Sequence, residues 1–182
     1  MNYIFLTDGF EEIEGLTVID LLRRADIKIS SVSITGDKKV RGRSNIKVIS
    51  DELFSDLNKS QIKKEDFLIL PGGTTAFAEH NGLNELLLGH NGIGGNIASI
   101  CAAPIVLGRL GILNKRNATI FPSMKDELIK AGAVYKSDNV VIDKNIITSR
   151  GPATAMDFAL AIVKAIKGET VFTEIKEELL FQ

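Results

Sequence analysis

The chain has 182 residues, 45% hydrophobic and 25% charged side chains and a formal net charge of -1, the composition of one compact domain covering residues 1–182 rather than of a disordered or fibrous chain. With so little net charge, no nucleic-acid partner or anionic membrane surface is expected, and no run approaches the roughly 20 apolar residues of a membrane span. Its one cysteine forms no internal disulfide, and Asp8, Glu11 and Glu12 interrupt the apolar N-terminal stretch, which together point to the reducing cytoplasm.

Short apolar runs alternate with longer amphipathic ones almost from end to end, the pattern of an α/β protein. Tyr3–Thr7 (YIFLT) reads as a strand, Glu11–Arg24 as a helix and Ile27–Ile34 as a second strand. Arg43–Ile49 reads as a short strand in a hairpin or at an edge. Phe67–Leu70 (FLIL) and Ile97–Ile100 (IASI) lack polar alternation, as expected of central parallel strands covered on both faces, and a helix follows each. Ala118–Ile120 is a further short strand, and Val140–Thr148 a hairpin turning at Asp143-Lys144-Asn145. Helices over Ala153–Ile166 and about Glu169–Leu180 close the chain, with the terminal LLFQ continuing the helical pattern. His80 and His90 follow Gly73 and read as solvated loop positions.

Ligands of open parallel α/β sheets sit beyond the carboxyl ends of the strands. The residues there are distinctive: Asp8-Gly9-Phe10-Glu11-Glu12-Ile13-Glu14, Pro71-Gly72-Gly73-Thr74, Cys101-Ala102-Ala103-Pro104 and Arg150-Gly151-Pro152. A cysteine at a strand-to-helix junction gains the unpaired amides and positive dipole end of the next helix, which favour thiolate. Ala102 and Ala103 leave room for a substrate, and Pro104 suits a first helical turn. The competing reading is a buried, inert cysteine. Gly72-Gly73 offers bare amides for an oxyanion, or simply a tight turn.

On a helical wheel at about 100° per residue, Leu21, Ala25, Val18, Leu22 and Gly15 form the apolar arc, and Glu14 falls inside it. A carboxylate there is paired, protonated or catalytic; a protonated one beside Cys101 would donate a hydrogen bond to the sulfur. The alternative is a first-turn acid complementing the helix dipole, the role expected of Glu11 and Glu12. Ile13 and Leu16 lie outside the arc and predict a homodimer contact through this helix, against scattered surface hydrophobes.

Together DGFEEIEGLTVIDLLRRA, LPGG, SICAAP and TSRGPATAMDFALAIVKAI resemble, in order and over nearly the whole chain, the DJ-1/ThiJ/PfpI superfamily and specifically its DJ-1 branch. The resemblance implies a flavodoxin-like three-layer sandwich with a mostly parallel central sheet and a nucleophile elbow, and a homodimer packed through the first helix. It assigns Cys101 as the reactive thiol, Glu14 as the acid bonded to it, and the Gly73 and Ala102 amides as donors to an anion beside the sulfur. Gly72, Arg24, Ser149 and Arg150 fit pocket positions. Where some members carry histidine, this chain has Phe121-Pro122, and a second arginine position falls on Ser44, beside Arg43.

The implied activities are glutathione-independent (glyoxalase III type) conversion of methylglyoxal to lactate, deglycase action on related reactive aldehydes, and oxidative-stress sensing through cysteine sulfinate. No metal or organic cofactor is needed for the first. The rival class is a non-catalytic redox sensor or chaperone acting through oxidation of Cys101. A protease or amidase is disfavoured, because Ala102 stands where the protease pattern has histidine.

Overall fold

Strand runs without polar alternation require cover on both faces, and the computed structural model, which describes residues 1–181, shows that arrangement. Among these residues seven strands form the main sheet, in the order β10-β11-β7-β6-β1-β2-β5. They are β1 (Asn2–Leu6), β2 (Ile29–Ser33), β5 (Glu52–Leu53), β6 (Phe67–Leu70), β7 (Asn96–Ile100), β10 (Val140–Asp143) and β11 (Ile146–Ser149). All pairings are parallel except the β10–β11 hairpin. Helices α1 (Glu12–Arg24), α2 (Asn81–Gly92), α3 (Pro104–Arg109), α4 (Lys125–Lys130), α5 (Ala155–Lys167) and α6 (Glu169–Glu178) complete a flavodoxin-like three-layer sandwich.

Side-chain alternation along the strands divides the interior into two cores. Ile4 and Leu6 of β1 join Val18, Leu21 and Leu22 of α1 and Phe158 and Ile162 of α5. Tyr3 and Phe5 point the other way, to Leu83 and Leu87 of α2, Val106 and Leu107 of α3 and Leu128 of α4. Glu14 follows from the same geometry. It shares the apolar stripe of α1, so burying that stripe carries its carboxyl in as well.

Several boundaries differ from the sequence reading, each for an identifiable reason. The second strand begins at Ile29, not Ile27, because Asp26 takes a left-handed conformation (φ 51°) and the Ile27 amide still bonds Leu22 at 2.9 Å. The expected strand Arg43–Ile49 is only β4 (Lys47–Ile49), paired with an unforeseen β3 (Lys39–Arg41). The Ser44 and Ile46 amides donate to the Glu12 carboxylate instead of to a strand. Likewise β8 is Asn117–Ala118, paired with another unforeseen strand, β9 (Val134–Tyr135). Beyond it the Thr119 amide bonds the Thr148 hydroxyl and the Phe121 amide bonds the Cys101 carbonyl.

The C-terminal hairpin turns at Lys144 (φ 55°) as read. The last helix stops at Glu178, with Leu180 left-handed at φ 53°, and Gln182 of LLFQ lies outside the described residues. The histidines are not solvated loop residues. His80 caps α2, its Nδ1 accepting from the Leu83 amide at 3.0 Å. His90 is buried, on the same helical face as Leu83 and Leu87, with Nε2 3.0 Å from the Asp66 carbonyl.

The β3–β4 hairpin is fastened over the start of α1 by carboxylates. Asp8 accepts from the Arg41 amide at 2.8 Å, and Glu12 accepts from Ser44 at 2.9 Å and Ile46 at 3.3 Å. Gly42 leaves room for the buried Glu12 side chain, which a Cβ at that position would strike. Gly42→Ala is therefore expected to destabilise the fold by about 1–3 kcal/mol, since Glu12 could make room only by giving up its bonds to the Ser44 and Ile46 amides. A urea titration checks this, and amide exchange should quicken first at Ser44 and Ile46.

Candidate active site

Parallel strands in register end along one edge, so Leu70 beside Ser99 and Ser149 beside Ile100 bring three strand termini together. Cys101 occupies the turn between β7 and α3 with φ 64°, a left-handed conformation uncommon for a residue with a side chain. Both its backbone groups are held: its amide donates to the Ser149 carbonyl at 2.9 Å, and its carbonyl accepts from the Phe121 amide at 2.9 Å. Pro104 opens α3, where no amide is missed. The outcome is a nucleophile elbow, with the sulfur turned toward β6 and α1 and the residue only 6% exposed.

Glu14 meets it there. Its carboxyl is wholly buried, accepts the Gly72 amide at 2.6 Å through Oε2, and lies beside the Cys101 side chain, with Oε1 left unpartnered. Gly72 is required for this approach. A Cβ on it would lie 2.5 Å from Cys101 Cβ and 2.6 Å from Glu14 Oε2. The Gly73 and Ala102 amides lie near enough to the sulfur to favour its ionised form. The two glycines thus divide the work, one serving the carboxyl and the other the sulfur.

Burial pushes the Glu14 carboxyl up to about 7, against the opposing pull of the Gly72 amide and the Cys101 thiol. Burial, followed by the Glu14 charge and its hydrogen bond, pushes the Cys101 thiol up to about 12, opposed by the Gly73 and Ala102 amides. With the carboxyl at about 7 and the thiol at about 12, the two neighbouring acids pass from two protons to one as pH rises through about 7. Burial of the sulfur works against the thiolate expected from the helix end. Desolvation of the sulfur outweighs the amides, and α3 has only six residues.

The remaining expected positions separate. Arg24 lies at the far end of α1 from Glu14, paired with Asp20 at 2.9 Å and Glu178 at 2.8 Å, because α6 packs beside that end; within this chain it does not reach the pocket. Ser149 contributes its carbonyl to the elbow, while its hydroxyl bonds the Asn139 carbonyl and the Thr154 hydroxyl. Arg150 reaches the Ser137 carbonyl at 3.1 Å and lines, with Phe121, Pro152 and Thr154, a hollow of about 260 Å³.

The sequence reading missed the buried clamps. Glu11 and Glu12 stand at the start of α1 as dipole acids would, but both are buried and also hold the neighbouring loop: Glu11 pairs with Arg43 at 3.4 Å, and Glu12 holds the hairpin turn. Their first-turn positions look alike in sequence whether they face water or a neighbouring loop.

The chain matches the model of the DJ-1/PfpI family over residues 2–165. It belongs to that family. Within it, the chain is 36% identical to "Protein dj-1beta" of Drosophila melanogaster over 180 residues, 97% of this chain and 95% of that protein. The crystal structure of Drosophila melanogaster DJ-1beta superposes with a TM-score of 0.93 at 34% identity, covering all of both chains. "Glutathione-independent glyoxalase DJR-1.2" of Caenorhabditis elegans is 35% identical over 160 residues, 87% of this chain and 83% of that protein. These DJ-1 relatives place the chain in the DJ-1 branch.

The raised Glu14 pKa predicts a stability signature for this DJ-1 family member. Unfolded Glu14 loses its proton near 4.5 and folded Glu14 near 7, so the folded state binds the proton more tightly between them. Stability from this group is present below pH about 4.5 and falls by about 3 kcal/mol as pH rises to about 7. Glu14→Gln should remove that fall, measured as the difference in urea midpoint between pH 5 and pH 8.

Proposed function

We propose that this chain is a glutathione-independent glyoxalase of the glyoxalase III type, acting on methylglyoxal and related reactive aldehydes through Cys101 and Glu14. The observation that carries the reading is the buried contact between that carboxyl and that sulfur at the strand ends. In the tautomer with the proton on Glu14, the sulfur adds to the aldehyde carbon. The new oxyanion takes the Glu14 proton, leaving a hemithioacetal and a carboxylate beside its C–H bond. Glu14 then removes the C1 proton to give an enediol and returns it to C2, while the hydroxyl proton on the C1 oxygen passes to the C2 oxygen, so that C1 is oxidised to a thioester as C2 is reduced to a secondary alcohol. Water cleaves the thioester, releasing lactate and restoring the thiol. The Gly73 and Ala102 amides are the oxyanion donors in this scheme. No outside oxidant enters.

A second reading draws on the same amides: donors aimed at the sulfur equally suit a cysteine sulfinate, as in a redox sensor or chaperone. Lactate formation from methylglyoxal separates the two. The wild type should turn over, Cys101→Ala should be inactive, and Glu14→Gln should lose about a hundredfold or more in kcat. kcat/KM should fall below pH about 7, where the pair takes up a second proton. No lactate from the wild type, with Cys101 stopping at two added oxygens in peroxide by mass spectrometry, would favour the sensor.

The chain is further proposed to pair with a second copy through α1, where Ile13 is 56% and Leu16 37% exposed. No helix among the described residues is long and apolar enough to cross a membrane, and a lone reduced cysteine suits the cytoplasm. Sedimentation should show a dimer for the wild type and a monomer for Ile13→Asp; a monomeric wild type would refute the pairing.

A further inference from the structure

A roomy hollow lies away from Cys101. It has a volume of about 550 Å³ and runs between β10, α5 and α6, over Val140, Ile142, Leu160, Ala161 and Phe172. Such a volume falls in the range of small-molecule sites. A second hollow of about 540 Å³ adjoins it and shares the wall made by Phe172, Lys176 and Phe181, so the two form one long groove. Its floor includes an unusually open apolar side chain, since Ile142 is 60% exposed on an edge strand.

The charges along the groove are not equivalent. Lys164 is committed to Glu169 at 2.6 Å. Asp157 lies in the first turn of α5, near Asn139 and Val140. Lys176 has no carboxylate partner among the described residues; its ammonium sits over two rings, 5.9 Å from the Phe172 centroid and 5.6 Å from that of Phe181. An ammonium held over apolar faces has lost part of its water, which strengthens its attraction for an anion. The groove therefore joins a linear apolar floor to Lys176 at the shared wall, where Glu177 also lines the second hollow but makes no ion pair with it among the described residues.

We propose that this groove binds a medium-chain aliphatic carboxylate, its head group at Lys176 and its chain along Ala161, Leu160 and Ile142. A compact polar metabolite would leave the floor wet, and a neutral chain would leave Lys176 without a partner. The groove shares no residue with the Cys101 site, so occupancy and aldehyde chemistry are separable.

Calorimetric titration with decanoate, below its micelle concentration, tests this. The wild type should give a saturable isotherm. Decanol and Lys176→Glu should each bind at least about fivefold more weakly, the loss expected for one partly exposed ion pair. Ile142→Asp, at an exposed position that folding tolerates, should abolish binding, and Ala161→Trp should block the groove. All three variants should keep wild-type lactate production or, if the wild type makes none, its rate of Cys101 oxidation. Absence of a saturable isotherm, equal affinity for decanol and decanoate, or indifference to Ile142→Asp would each overturn the assignment. A concentration-dependent dimer abolished by Ile142→Asp would assign the face to a second copy instead.

Discussion

A carboxyl group buried against a thiol is expensive to maintain, and the layout around Cys101 is organised to keep Glu14 there. Isolated in an apolar interior, an ionised carboxylate would take up a proton or drive the helix outward. Here one oxygen accepts the Gly72 amide, and burial raises the pKa of the carboxyl and of the thiol beside it, so that the site carries little charge below pH about 7. Three separate stretches of chain must agree within a fraction of an ångström: the first turn of α1, the Pro71–Gly73 turn and the elbow. Gly72, lacking a Cβ, is what lets them close.

The surrounding polar groups rigidify this arrangement. The Glu11 amide donates to the Gly72 carbonyl at 2.9 Å, which ties the start of α1 to the turn after β6. The Arg43 amide donates to the Phe10 carbonyl, and Asp8 and Glu12 grip the same hairpin from below. The two carboxylate bonds are charge-assisted, and that of Glu12 is half-buried, where it is stronger than at an open surface. Their common effect is to leave few alternative positions for the segment that carries Glu14.

The molecule thus presents two unlike regions. At the strand ends, chemistry-bearing groups are sealed to near-complete burial. Along β10, α5 and α6, an apolar floor lies open beside a lysine with aromatic neighbours. The first region depends on fixed polar contacts, the second on shape and a single charge.

Much of this was legible from residue order alone. Unbroken runs such as FLIL and IASI announced buried parallel strands, and the residues after them announced the edge where a site would form. Glu14 stood out because helical period placed a carboxylate among Val18, Leu21 and Leu22, and Cys101 because a small-residue turn followed an apolar strand. Local pattern determined these features, for period and turn chemistry act within a few residues. What only the tertiary structure decided was partnership: that Gly72 and not Gly73 serves the carboxyl, that Glu11 and Glu12 face a hairpin rather than water, that Arg24 turns to Glu178, and that Glu14 and Cys101 are buried side by side. Those outcomes depend on packing between segments dozens of residues apart, and on burial, which sets the energy of a charge and is a property of the folded whole.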